Sequence, residues 1–172
     1  MQNRSTFESV KEYYGKVLDS NKDLKTSACC TAEAMPMHLR PFLKDIHPEV
    51  QDKFYGCGSP IPPELSGRSV LDLGSGTGRD CFLLSRLVGE NGNVVGVDMT
   101  EEQLAVARKH LPWHTERYGY KAPNIEFKQG YIEDLETAGI KSNSLDLVVS
   151  NCVLNLSPDG HLCFCRKAAQ AK

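Results

Sequence analysis

The sequence predicts an α/β protein built on an open, parallel sheet, and three observations predict it. A β-branched, apolar run at Val70-Leu71-Asp72-Leu73 breaks into alternate glycines at Gly74, Gly76 and Gly78. The chain then resumes as Arg79-Asp80-Cys81-Phe82-Leu83-Leu84-Ser85-Arg86-Leu87, whose apolar positions 83, 84 and 87 have the spacing of a helix face packed on a sheet. Three further strand-like runs end in polar turns, and in an open α/β sheet such turns share the edge where ligands bind.

Taken in order, Ser5-Thr6-Phe7-Glu8 reads as a capping box, and Phe7, Val10, Tyr14 and Val17 follow at helical spacing, so a helix is expected over residues 6–18, lying over the ligand site. Residues 19–34 are polar and irregular and carry Cys29 and Cys30. Pro36 opens a short helical stretch that Pro41 should interrupt, and Pro48 starts another helix from Glu49 to Phe54. The segment Tyr55-Gly56-Cys57-Gly58-Ser59-Pro60-Ile61-Pro62-Pro63 is too rich in glycine and proline for regular structure, which places Cys57 on a stiff loop. The first strand, glycine turn and helix follow.

Asn93-Val94-Val95-Gly96-Val97-Asp98 is the second strand. Thr100-Glu101-Glu102-Gln103 reads as another capping box, opening a helix through Leu104, Ala107 and Leu111 that Pro112 should kink or end. The third strand, Asn124 to Gly130, runs into the acid-bearing turn Tyr131-Ile132-Glu133-Asp134. The fourth, Leu145-Asp146-Leu147-Val148-Val149-Ser150, ends at Asn151-Cys152.

Which ligand suits the glycine turn follows from its spacing. A dinucleotide fingerprint, G-x-G-x-x-G, counted from Gly74 would place its third glycine at position 79, where this chain has Arg79. Asp72 stands before the first glycine, at the strand's carboxyl end, where a pyrophosphate would otherwise lie. A carboxylate there favours a cation, and S-adenosylmethionine carries a sulfonium and an α-amino group and no phosphate. Asp98, at the end of the second strand, is placed either to accept hydrogen bonds from the two ribose hydroxyls of an adenosine or to serve as a plain strand-end cap.

The 172 residues suffice for one domain with a real core, and 40% apolar with 24% charged residues is ordinary for a globular chain. A net charge of −2 without a long basic run argues against nucleic acid or an anionic membrane as the main partner. No apolar stretch approaches a membrane span or a signal peptide, and a cytosolic location is expected. Seven cysteines are many for such a compartment, yet no C-x-x-C pair begins a zinc site.

With these residues assembled, the chain resembles the arsenite S-adenosylmethionine methyltransferases. The resemblance covers about residues 6–159 and is carried by Tyr13-Tyr14-Gly15, the Cys29 loop, Tyr55-Gly56-Cys57-Gly58, Asp72 to Asp80, Gly96-Val97-Asp98-Met99-Thr100, Gly130-Tyr131-Ile132-Glu133 and Val149-Ser150-Asn151-Cys152. It implies a Rossmann-like class I methyltransferase sheet, with an N-terminal helical segment and cysteine loops over residues 1–66, a partial core over 67–159 and a divergent tail over 160–172. It implies S-adenosylmethionine held by Asp72, Gly74, Gly76, Gly78, Asp98, Met99, Ile132, Glu133 and Asn151. It further implies Cys29, Cys57 and Cys152 as catalytic thiols binding the arsenic substrate, which is arsenite or its glutathione conjugate, with a thiol reductant such as glutathione or thioredoxin regenerating them.

The residues make chemical sense of that set. Trivalent arsenic is soft and favours a pyramid of thiolates, leaving a lone pair on its open face to attack a sulfonium methyl without a general base. Read without the resemblance, Cys57 and Cys152 could equally be small core residues, although a polar glycine-proline loop offers Cys57 little to bury against. Cys81 is most simply structural, Cys30 is read as incidental to Cys29, and the Cys163-x-Cys165 pair either replaces a lost thiol ligand or, as tail cysteine pairs usually do, binds nothing. By the same resemblance, further strands, helices and another cysteine should follow residue 159. The expectation is therefore a truncated form, its sheet incomplete after the fourth strand, with an exposed apolar edge at Leu147-Val148-Val149, marginal stability and impaired turnover. Two alternatives remain at this stage: a thiol fragment that binds arsenic without turnover, and a methyltransferase for another small molecule with structural cysteines.

Overall fold

A computed structural model describes residues 35–56 and 58–153, with Glu8 and Tyr13 in isolation. The expected helix over 6–18, the thiols Cys29 and Cys57 and the tail thus lie outside the described residues.

Four strands form one parallel sheet: β1 (Ser69–Leu73), β2 (Asn93–Asp98), β3 (Ile125–Gln129) and β4 (Leu147–Ser150), in the order β3-β2-β1-β4. Register pairs Asp72 with Gly96 on one side and with Val149 on the other, so β1 is central and its carboxyl end is flanked by the ends of both neighbours. The chain direction reverses its spatial progression at β1, which makes the gap above β1 the switch point of the sheet. Strand side chains divide between two faces. Val70, Val94, Ile125, Phe127 and Val149 share one core with the helices, while Leu71, Leu73, Val95 and Val97 form the other with Ile132. No described helix contributes to that second core; Leu135, Ile140, Leu145 and Val153 pack on it instead.

The helices are α1 (Arg40–Leu43), α2 (Pro48–Asp52), α3 (Arg79–Val88) and α4 (Glu101–Tyr118). Helix α3 leaves the glycine turn directly, with Gly78 as its N-cap at φ +86°, and buries Cys81 through Ser85 and Val88. Residues Met35, Leu39, Ile46, Val50, Ile61 and Leu65 join the same core as α3 and α4, so the segment before β1 is packed into the sheet unit.

Several local expectations are corrected. Pro41 occupies the first turn of α1 rather than interrupting a helix, a position where its missing N–H has no partner to lose. Pro112 does not end α4, which continues to Tyr118. Leu104, Ala107, His110, His114 and Tyr118 are buried along one stripe spanning both sides of the proline, while Pro112 itself is exposed, so the unmade hydrogen bond faces water and packing carries the helix through. The capping box at Thr100 does not close, because the Thr100 side chain makes no cap bond and its amide donates to Asp98 Oδ1 at 2.8 Å. The Glu49 to Phe54 helix ends early, at Asp52. Strand β4 is an outer strand of the described sheet, but its apolar residues are not bare: Val149 is buried, and Leu147 and Val148 are half-buried.

Candidate functional site

Parallel pairing brings the carboxyl ends of all four strands to one rim, and a cleft opens there above β1. Its floor is the turn after β1. Gly74, at φ +72°, and Gly76, at φ +54°, adopt the left-handed conformation that side chains disfavour. A Cβ on Gly74 would come within 2.1 Å of Val153, whereas one on Gly76 would meet only Gln103 Oε1 at 3.8 Å and would otherwise occupy cleft space. The turn is held from two directions: the amides of Gly74 and Ser75 donate to Val97 O, and the amide of Gly76 donates to Asp98 Oδ2 at 2.8 Å.

Of the residues singled out in the sequence, Asp72, Gly74, Gly76, Asp98, Met99, Ile132, Glu133, Asn151 and Cys152 line this one cleft. Gly78 does not. A Cβ there would strike Phe127 at 2.8 Å, so its role is to let α3 start against the core. Cys152 is exposed, which removes the reading of it as a small core residue, and it holds the unusual backbone angle φ +58° at the cleft margin. Cys81 is fully buried and donates its thiol hydrogen to Asp72 Oδ2 at 3.3 Å.

Charge in the cleft is mostly acidic, with Lys53 as the cation among its lining residues. Asp72, Asp80, Asp98 and Glu133 all line it. Arg79 answers only one of them, with Nε at 3.0 Å and Nη2 at 2.8 Å from Asp80 Oδ1. Burial, with the neighbouring Asp80 next, pushes the Asp72 carboxyl well above the usual carboxylate range. Burial also raises Asp98, opposed by the amide hydrogen bonds of Thr100 and Gly76. Among the described residues, Ser75 Oγ and Glu133 Oε1 are buried without a hydrogen-bond partner. Unmet acceptors and donors beside uncompensated carboxyls are what a polar, cation-bearing ligand would satisfy.

Lys53, Phe54 and Gln103 also line the cleft and were not singled out as site residues by sequence reasoning. Gln103 was visible only as the far end of a capping box. Phe54 carried no local signal, because its partner is distant in sequence: the Arg79 guanidinium lies over its ring, 3.2 Å from the centroid.

A parallel sheet of order β3-β2-β1-β4 with a glycine turn and an acidic rim at its switch point defines a Rossmann-like class I methyltransferase fold. Comparison with known families agrees: residues 64–168 match the model described as a methyltransferase domain, and the chain belongs to that family. It is 58% identical over 152 residues to an arsenite methyltransferase of Aquipseudomonas alcaligenes, covering 88% of this chain and 43% of that protein. It is 54% identical over 151 residues to the arsenite methyltransferase of Homo sapiens, covering 87% of this chain and 40% of the human protein. Among solved structures, the arsenic(III) S-adenosylmethionine methyltransferase of Chlamydomonas reinhardtii superposes with a TM-score of 0.71 at 51% identity, covering 73% of this chain and 42% of that one. The chain thus spans about two fifths of the length of the relatives it matches.

Proposed function

We propose that this chain serves the S-adenosylmethionine-dependent methylation of trivalent arsenic, presented as arsenite or its glutathione conjugate. The observation that carries the reading is the exposed Cys152 thiol standing at the margin of a cleft whose acidic lining fits a cationic methyl donor, in a chain more than half identical to arsenite methyltransferases.

When bound, S-adenosylmethionine supplies an electrophilic methyl on a sulfonium. Everything else falls to the chain. Asp72, at the end of β1, supplies countercharge for the donor's α-amino group and sulfonium. Asp98 holds the glycine turn through Gly76, and its carboxylate oxygens carry further lone pairs that can accept from ribose hydroxyls. Met99, Ile132 and the buried Ser75 and Glu133 oxygens line the remainder. Cys152, with Cys57 and Cys29, holds the arsenic substrate as thiolates, a soft donor set for a soft centre. Arsenic attacks through its lone pair and loses no proton, so no side chain has to act as a general base. The chain's tasks are to strip competing ligands from arsenic and to align the lone pair with the methyl–sulfur bond. Residues 1–66 would then supply the thiol loops and residues 67–159 the donor site, with a thiol reductant returning the cysteines to their reduced state and the reaction taking place in the cytosol. Among the described residues, no helix is long and apolar enough to cross a membrane.

Calorimetric titration of S-adenosylmethionine and then arsenite tests this, with Cys29→Ser, Cys57→Ser and Cys152→Ser compared with the parent chain. Arsenite binding should weaken with each thiol removed while donor binding persists. Unchanged arsenite affinity in Cys152→Ser would defeat the assignment, and mass detection of methylarsenite reads the chemistry directly.

A further inference from the structure

Arg79 stands where a dinucleotide fingerprint would need its third glycine, and it packs behind Phe54 and Asp80 of the donor cleft without lining it. It is buried, and its guanidinium makes three kinds of contact. Nε and Nη2 donate to Asp80 Oδ1, Nη2 donates to Gly58 O at 2.5 Å, and the plane lies over the Phe54 ring. Asp80 Oδ2 in turn accepts from Asn151 Nδ2 at 2.9 Å, and the same Nδ2 reaches Gly58 O at 3.4 Å. Gly56 is pressed to the same point, since a Cβ on it would meet Asn151 Cγ at 3.1 Å. Two stretches far apart in sequence therefore close on one ion pair: Phe54, Gly56 and Gly58 on either side of Cys57, and Asn151 immediately before Cys152.

We propose that Arg79, with Asp80, is a positioning residue for the thiol site: a clasp that sets the loop carrying Cys57 in register with the turn carrying Cys152. This rests on the thiol assignment made above. A bidentate guanidinium suits the task because its rigid fork holds a carboxylate and a carbonyl at fixed angles at once, which a lysine ammonium does not. Burial on Phe54 keeps water from competing for the same groups. The glycine turn of this chain thus departs from the dinucleotide pattern at the position that the clasp occupies.

The test uses the full chain with Cys29, Cys30, Cys163 and Cys165 changed to Ser and the buried Cys81 left in place, so that Cys57 and Cys152 are the two thiols left besides it. Dibromobimane, a short reagent that fluoresces when it bridges two thiols, reports their register, and monobromobimane reports their separate reactivity. Bridging should be rapid with Arg79 present, fall by about tenfold or more in Arg79→Met, as expected for a displacement of about an ångström, and be intermediate in Arg79→Lys. Monobromobimane labelling should stay unchanged. The clasp is refuted if the parent does not bridge, if bridging survives in Arg79→Met, or if bridging and labelling shift together in both variants, as general loosening would cause. Arsenite titration of the same chains separates this from the functional reading. Slow bridging in the Arg79 variants with arsenite affinity indifferent to Cys152→Ser would keep the clasp and sink the arsenic assignment. Thiol-dependent arsenite binding that ignores Arg79→Met would do the reverse.

Discussion

Asp98 Oδ2 accepts the amide hydrogen of Gly76 at 2.8 Å while its Oδ1 accepts that of Thr100 at the same distance, so one carboxylate at the end of β2 ties the glycine turn to the start of α4. Asp98→Asn must turn an amide donor toward one of those two backbone donors. Leaving a buried donor unmet costs about 1–3 kcal/mol, so the urea midpoint should fall correspondingly. Affinity for S-adenosylmethionine should fall with it, because the turn and the ribose acceptor are lost together; an unchanged midpoint would show that the tie is dispensable.

Asp72 is set against its own ionisation by burial, with Asp80 adding to it. A folded-state pKa above the unfolded one means that the folded chain holds more protons, so stability declines as pH rises from about 4, the unfolded value, through the folded value. Asp72→Asn should therefore raise the melting temperature of the ligand-free chain at neutral pH and abolish the stabilisation given by S-adenosylmethionine. Donor binding to the parent should release protons, visible as a calorimetric enthalpy that depends on the buffer; buffer independence would contradict the coupling.

Two glycines with nearly the same backbone angle separate conformation from crowding. Gly67 is at φ +71° with nothing within 4 Å of a built Cβ, while Gly74 is at φ +72° with Val153 at 2.1 Å. Gly67→Ala should cost about 1 kcal/mol, the left-handed penalty alone. Gly74→Ala should cost about 1–3 kcal/mol more through overpacking, and Val153→Ala should restore much of that excess. Equal losses at both glycines in chemical denaturation would show that Val153 yields freely.

His114 makes the protein acid-sensitive in a defined window. Its Nε2 accepts the His47 amide at 3.2 Å, its Nδ1 pairs with His110 O at 2.8 Å, and its ring stacks on Phe82. Burial lowers its pKa to about 4 from an ordinary 6.5. The unfolded chain therefore binds the proton first, and stability is lost as pH falls from about 6.5 to 4, by on the order of 3 kcal/mol. His114→Gln, which cannot titrate, should flatten that part of the stability-pH curve while lowering stability at neutral pH. A parent curve flat over the same range would contradict the assignment.

What could be read in the sequence was whatever is local. Strand, turn and helix from Ser69 to Val88 are adjacent in the chain, and the polar ends of the other strands had only to be parallel to meet there. Three features were not legible, each for a non-local reason. Pro112 looked like a stop, but a stripe buried on either side of it decided the matter. Thr100 looked like a side-chain cap, but the Asp98 carboxylate takes its amide. Phe54 looked like the end of a helix, and only Arg79 explains its place in the wall of the cleft. Gly78 shows the opposite error, since it shares the spacing of Gly74 and Gly76 but faces the aromatic core.

The contact between Gly74 and Val153 also has a mechanical meaning. Val153 follows Cys152 directly and leans over the floor of the donor cleft, leaving no slack for a methyl group between them. The glycine turn and the residue beside the exposed thiol therefore share one tight steric contact, so crowding at the turn is felt first at the backbone next to that sulfur.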